Sequence, residues 1–281
     1  MGQADLHIHS TASDGRLTPA EVVQEAARRG LKFMSLTDHD TVDGIALALA
    51  AVQSFPGLKL IPGVEISTDI PQGEAHVLGY FIDYTDRELL ETLERFRNSR
   101  LKRAQGMVAK LDKLGIHLDW PRVQQIAGAS VMGRPHIAQA MLEKGYIDSF
   151  KQAFTDYIGH DRPAYVEREK MTPAEAVALI IKARGLAVLA HPFTIKEPEA
   201  MIIELKAAGL TGIETYYNDY TAEDISRLVA IAEKNNLIAT GGSDYHGLDS
   251  SETAIGGIDL PLASVEKLIA KARKINPELN F

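Results

Sequence analysis

The chain reads as an α/β protein, a barrel of βα units around a parallel sheet, with a helical segment inserted. Three observations carry that reading. Seven short apolar stretches have strand character: Ala4–His9, Lys32–Asp38, Lys59–Ile66, Ala75–Ile82, Ala187–His191, Gly212–Tyr216 and Leu237–Gly241, with helical patterns after most of them. A length of 281 residues suits an α/β barrel, or one domain plus an insertion. From about Asp86 to His160 the strand pattern gives way to helical spacing alone.

The first strand carries Asp5-Leu6-His7-Ile8-His9-Ser10. Alternate residues of a strand point to the same side, so both imidazoles leave one face together near the strand end. Asp14 follows within the turn signal Ser13-Asp14-Gly15. Two histidines at strand spacing and a carboxylate in the next turn suggest a metal-dependent hydrolase. The plainer alternative is two ordinary histidines on a strand.

Two helices start alike. Thr18-Pro19-Ala20-Glu21 and Thr172-Pro173-Ala174-Glu175 both read as capping boxes with proline at the first helical position. Each helix runs to an Arg-Gly-Leu, whose glycine, Gly30 or Gly185, suits a C-cap. Each then leads into an apolar strand ending in a histidine, His39 or His191. Those are C-terminal strand ends, where α/β barrels place their chemistry.

In the middle segment Leu89, Leu93, Phe96, Met107, Leu111 and Leu114 recur at roughly helical spacing, and the helix is expected to end at Gly115. Shorter helices are expected at Pro121–Ala127, Pro135–Lys144 and Ser149–Ile158. The expected division is therefore residues 1–96 as the first part of the barrel, 97–163 as a helical insertion capping the strand ends, and 164–281 as the second part.

Composition sets limits. There is no cysteine, so any metal must be held by nitrogen and oxygen. The formal net charge of −8 argues against broad attraction to nucleic acid but allows an anionic substrate in one local cleft. No apolar run approaches the ~18 residues of a membrane span. No secretory leader pattern precedes the first strand, so a cytoplasmic location is expected.

Further candidate ligands fall at strand ends. They lie in Thr37-Asp38-His39-Asp40, Gly63-Val64-Glu65, His76-Val77-Leu78-Gly79, Ala190-His191-Pro192 and Gly242-Ser243-Asp244-Tyr245-His246. Singly, each has a plain reading. Glu65 is as good a capping carboxylate, His76 between Ala75 and Val77 a core histidine, and Ser243 to His246 a hydrogen-bonded turn. Together they would crowd one rim with buried charge that cations would have to stabilise. His117 and His160 read as surface residues.

With Asp5 to Ser10 and Asp14-Gly15, these motifs make the chain resemble the polymerase and histidinol phosphatase (PHP) family along nearly its whole length. The resemblance implies a distorted (β/α)7 barrel with two or three metals at the C-terminal rim. It implies that His7, His9, Glu65 and Asp244 hold one metal. Glu65 would bridge to a second, held also by His76 and His191, and Asp14, His39 and His246 would complete a third site. Glu65, Asp244 and His246 are the candidate catalytic residues. Gly133-Arg134-Pro135-His136 resembles the branch that removes phosphate from nucleoside 3′,5′-bisphosphates, whose close relatives also trim RNA from the 5′ end.

The physics suits a phosphoesterase. Neighbouring divalent ions acidify a water, neutralise phosphate oxygens and stabilise a leaving oxygen. Arg134 offers a planar bidentate donor for a phosphate. Arg97, Arg100 and Arg103 share roughly one side of the long helix. Arg100 and Arg103, with Arg134 and His136, are the candidate substrate-binding residues, although a solvated helical face explains any one arginine as well. Imidazole with carboxylate and no thiolate suits Mn²⁺, Fe²⁺ or Zn²⁺, and Mn²⁺ is the expected ion. The expected substrate is a small phosphorylated nucleotide, with short RNA as a further one, and no stable protein partner is implied. The alternatives are a phosphatase of the histidinol-phosphate type and a non-catalytic, metal-stabilised docking module.

Overall fold

The computed structural model describes residues 2–71, 73–128, 131–167, 169, 171–247 and 253–279. The chain divides into two compact units, residues 1–91 with 171–281, and residues 92–170.

The first unit holds one seven-stranded sheet whose spatial order follows the chain: β1 (Ala4–Asp5), β2 (Phe33–Leu36), β3 (Lys59–Ile70), β4 (Gly73–Tyr80), β5 (Leu186–Leu189), β6 (Gly212–Tyr217) and β7 (Ile238–Gly242). The two end strands meet through Leu6 N to Gly241 O (3.2 Å) and Asp244 N to His7 O (2.8 Å), which nearly closes the barrel. Their approach is too close for a side chain: a Cβ on Gly242 would lie 2.3 Å from that of His7.

Each expected strand is present, but the sheet is not all parallel. β4 runs antiparallel to both β3 and β5. The cause is local. β3 and β4 pair as a hairpin down to Ile70 opposite Gly73, with no crossover helix between them to return the chain to the same end. The start of β4 therefore lies at the same rim as the C-terminal ends of its antiparallel neighbours β3 and β5.

Helices α1 (Pro19–Arg28) and α2 (Ile45–Val52) follow β1 and β2, and α7 (Pro173–Lys182), α8 (Pro198–Ala208), α9 (Ala222–Lys234) and α10 (Leu262–Ile275) belong to the second half of this unit. Both expected capping boxes form: Thr18 and Thr172 each accept from the glutamate N–H three residues on, and each glutamate accepts in return. A third, Thr221 with Asp224, opens α9. Gly30 takes the left-handed conformation expected after α1 (φ 77°). After α7 it is Arg184 (φ 61°) that does so. Gly185 is needed for space instead, since a Cβ there would lie 2.6 Å from Ile82 Cγ2.

The core lies on both sides of the strands. Leu6, Ile61, Leu78, Tyr80, Val188 and Leu268 belong to one buried cluster. Ile8, Val22, Val23, Met34, Leu36 and Leu60 form another beneath α1 and α2. Fully burying such a side chain stabilises the fold by about 1.5–3 kcal/mol. Leu6 and Ile8 are both in the core, which fixes the opposite set, His7 and His9, on the other face of the chain.

The second unit is helical. It takes most of α3 (Arg87–Lys113), then α4 (Trp120–Ala127), α5 (Arg134–Glu143) and α6 (Phe150–Gln152), which continues as a π-helical turn, Ala153–Ile158. Its own core includes Met107, Leu111, Val123, Ile137 and Met141. The long helix stops before Gly115, which adopts φ 82°. Among the described residues, no helix is long and apolar enough to cross a membrane.

Candidate metal centre

The residues after β1 stay extended through His9, whose N–H donates to Tyr245 O (3.0 Å). The loop beyond is tied down by Asp38, which accepts from Ser10 N (2.8 Å), Ser10 Oγ (2.8 Å) and Ser13 Oγ (2.6 Å). Gly15 has no room for a side chain, because a Cβ would sit 2.6 Å from His9 O. The result is that Asp14 returns to within 3.8 Å of His9 Nδ1.

Glu65, on β3 and fully buried, is the hub. Its Oε2 lies 3.1 Å from His7 Nε2, 3.2 Å from His9 Nε2 and 3.1 Å from His39 Nδ1. Its Oε1 lies 2.9 Å from His76 Nδ1 and 3.3 Å from His191 Nε2. Asp244, past the end of β7, sets Oδ1 at 3.2 Å from His7 Nε2 and 3.1 Å from His9 Nε2. Asp14 Oδ1 lies 3.4 Å from His246 Nε2. All nine candidate ligands thus gather at one end of the barrel.

Their donor atoms form three overlapping groups: His7, His9, Glu65 and Asp244; His39, Glu65 and His76; and His9, Asp14, His39 and His246. The first group is the expected one. The others differ in detail, because His9 joins the third group and His39 is shared between the second and third. His191 reaches Glu65 but belongs to none of the three. His191, Asp244 and Asp40 all have positive φ (26°, 52° and 50°), strained backbone of the kind that collects at functional sites.

Burial pushes the carboxyls of Glu65, Asp244 and Asp14 up, yet facing imidazoles outweigh it and hold all three well below the usual carboxylate range. Burial likewise opposes the charged form of His7 and His9. Asp244, Glu214 and Glu65 nevertheless raise His7 well above its ordinary value, and Asp244 with Glu65 pushes His9 up to about 10. For His39 burial dominates and lowers it to about 3. The carboxylates are therefore anionic, and protonated imidazoles balance their charge. A divalent cation would do the same and release those protons.

The donors fit such a cation. Neither nitrogen of His9 nor Nδ1 of His39 closes an aligned hydrogen bond, although all three are buried beside carboxylates. Unsatisfied buried polar atoms are expensive unless something coordinates them. Two tautomers also fit. His246 Nδ1 lies 2.8 Å from the Asp244 carbonyl, which can only accept, so the Nε2 lone pair is left for coordination. Thr194 Oγ1 donates to His191 O (2.9 Å), so it accepts from His191 Nδ1 at 3.2 Å, and Nε2 again remains.

Three supporting residues were not among the candidate ligands of the sequence. Glu214, fully buried on β6, touches His7 and His191. Asp38 organises the first loop. Tyr217 donates to Asp244 Oδ2 (2.9 Å). The signal available for Glu214 was a lone carboxylate within a strand of otherwise uncharged residues.

The helical unit carries the other candidates. Arg134 and His136 stand in the first turn of α5, where Gly133 N donates to His136 Nδ1 (3.0 Å) and leaves Nε2 as the protonated nitrogen. The Arg134 guanidinium lies over the Phe154 ring, 5.6 Å from its centroid. Arg100 and Arg103 lie on α3, and Arg103 is buried. His117 and His160 pair with Asp112 and Asp161 at the surface.

Comparison with known proteins agrees with this geometry. The PHP domain family matches residues 5–188. The chain is 33% identical to a 3′,5′-nucleoside bisphosphate phosphatase of Chromobacterium violaceum, over 93% of each chain. It is 35% identical to a 5′-3′ exoribonuclease of Haemophilus influenzae, over 86% of this chain and 89% of that one. A solved amidohydrolase structure from Chromobacterium violaceum superposes with a TM-score of 0.87 at 32% identity, covering 96% of this chain and 97% of the other.

Proposed function

The chain belongs to the PHP domain family and is a metal-dependent hydrolase, and from that premise we propose that it removes the 3′-phosphate of nucleoside 3′,5′-bisphosphates, leaving the 5′-monophosphate. The observation that carries this reading is the chain of shared ligands, with Glu65 common to two donor groups and His9 and His39 each common to two. Neighbouring cations, Mn²⁺ in this proposal, would acidify the attacking water and neutralise the phosphate oxygens.

The residues have distinct tasks in the proposal. Glu65 and Asp244, kept anionic by their imidazole neighbours, would hold the cations. A water attacks phosphorus, the bond to the 3′-oxygen breaks, and that oxygen takes up a proton. His246 commits its Nδ1 proton to the Asp244 carbonyl, so as a ligand through Nε2 it has none to give, and water supplies the proton that the leaving 3′-oxygen takes up. Arg100, Arg103, Arg134 and His136 are assigned to the phosphate that does not react. Binding energy gained at a remote group can orient the reacting one.

Removal of nucleotides from the 5′ end of short RNA is the second reading, favoured by the 35% identity to the Haemophilus influenzae exoribonuclease. The test is phosphate release by Mn²⁺-loaded protein from adenosine 3′,5′-bisphosphate, 3′-AMP, 5′-AMP and histidinol phosphate, with a short 5′-phosphorylated RNA alongside. The bisphosphate is expected to be the best substrate, giving 5′-AMP. Equal turnover of 3′-AMP contradicts the second anchor, and release of the 5′-phosphate reverses the orientation.

A further inference from the structure

His7 and His191 have stacked rings, 6.0 Å apart and 18° from parallel, with carboxylates on two sides. Glu65 meets the Nε2 atom of each. Glu214 meets the same two residues elsewhere: its Oε1 is 2.9 Å from His7 Nδ1, and its Oε2 accepts from the His191 N–H at 2.8 Å. Glu214 has no exposed surface. Burying a carboxylate is expensive, and both of these hydrogen bonds run to the metal centre rather than to a lysine or arginine.

We propose that Glu214 is a positioning residue that fixes His7 with its proton on Nδ1 and pins the strained backbone of His191, so that both imidazoles present Nε2 to divalent cations. It rests on the metal-centre reading but not on the choice of substrate. A carboxylate only accepts, so it selects the His7 tautomer whose Nε2 lone pair faces Glu65 and Asp244. Its second oxygen holds a residue at φ 26° and ψ 60° that nothing in an ordinary strand end would favour. One side chain thereby supports ligands on both sides of Glu65, and filling one position steadies the other.

The consequence for substitution is specific. In Glu214→Gln one oxygen becomes an NH₂ of nearly the same size. If the amide NH₂ faces His7, the imidazole must accept at Nδ1 and carry its proton on Nε2, the wrong form for a ligand. If it faces His191, that backbone N–H loses its acceptor. Either way one ligand is compromised.

The test compares wild type, Glu214→Gln and Glu214→Asp by Mn²⁺ titration calorimetry, with circular dichroism to confirm folding. Glu214→Gln is expected to bind the tightest ion about 10- to 100-fold more weakly, the usual effect of losing such an outer partner. Glu214→Asp keeps the charge but cannot reach both histidines, and is expected to fall between. ¹⁵N-histidine NMR of the Zn²⁺-loaded wild type needs no variant, and His7 should show a protonated Nδ1 and a coordinated Nε2. Unchanged Mn²⁺ affinity in a folded Glu214→Gln protein, or coordination through His7 Nδ1, overturns the proposal. A wild type that binds no ion would instead overturn the metal centre itself.

Discussion

The Tyr217 hydroxyl donates to Asp244 Oδ2 at 2.9 Å, which leaves Oδ1 as the oxygen that faces His7 and His9. The phenol is itself pushed above its ordinary range by burial and by Asp244 and Glu214, so it stays a donor. Removing it in Tyr217→Phe frees the carboxylate to rotate. Mn²⁺ affinity is expected to fall about tenfold, at the low end of such outer-partner effects, with stoichiometry unchanged. Titration calorimetry decides this, and an affinity equal to wild type refutes the constraint on Asp244.

Glu65→Gln is expected to do more than any other single change at the rim. The carboxylate touches five histidines through two oxygens, and an amide cannot offset two cations. Bound metal per chain, measured by elemental analysis after loading and desalting, should drop by at least one ion. Full stoichiometry in the variant would show that Glu65 is no bridge.

Arg134→Ala tests the helical unit. If Arg134 holds a phosphate, its loss should weaken transition-state binding of the bisphosphate by about 2–3 kcal/mol, roughly 30- to 150-fold in kcat/KM. Metal content should be unaltered. Unchanged kcat/KM would remove Arg134 from the substrate site.

A pH effect on stability is expected away from the centre. Arg28 and Arg29 outweigh partial burial and lower Glu25 from 4.5 to about 2. The stabilisation is therefore fully present above about pH 4.5 and disappears as pH falls towards 2. Glu25→Gln should cost about 0.5–1 kcal/mol at neutral pH, given the exposure of Arg28. In urea melts the gap to wild type should close progressively between about pH 4.5 and 2. A constant gap would mean that the charge contributes nothing.

Much of this was legible in the chain. The alternation Leu6-His7-Ile8-His9 fixes which face carries the imidazoles, because the apolar pair must be buried. The threonine-proline starts of α1 and α7 are local signals that tertiary context did not override. The direction of β4 was not legible, because apolar periodicity has no polarity and a hairpin tip reads like any short loop. Glu214 was missed for a related reason: a lone carboxylate in a strand acquires meaning only when the partners 207 and 23 residues away are known. The sharing of His9 and His39 between donor groups depends on side-chain distances that strand-end position alone does not supply.

The reversal of β4 also bears on the order in which the centre comes together. Glu65 and His76 are 11 residues apart and meet across a hairpin, whereas Glu65 and His191 are 126 apart and His7 and Glu214 are 207 apart. Loop-closure entropy rises with separation, so the hairpin half is the part a folding chain can form early, and the barrel seam that brings in His7 is the part it must form late. Pulse-labelled hydrogen exchange should show the Ile66 and Val77 amides, a pair across the hairpin, protected before the Leu6 amide. A nascent chain would then hold one imidazole beside its bridging carboxylate well before it owns a complete cation site, and metal capture would act as the final step of barrel closure rather than its nucleus.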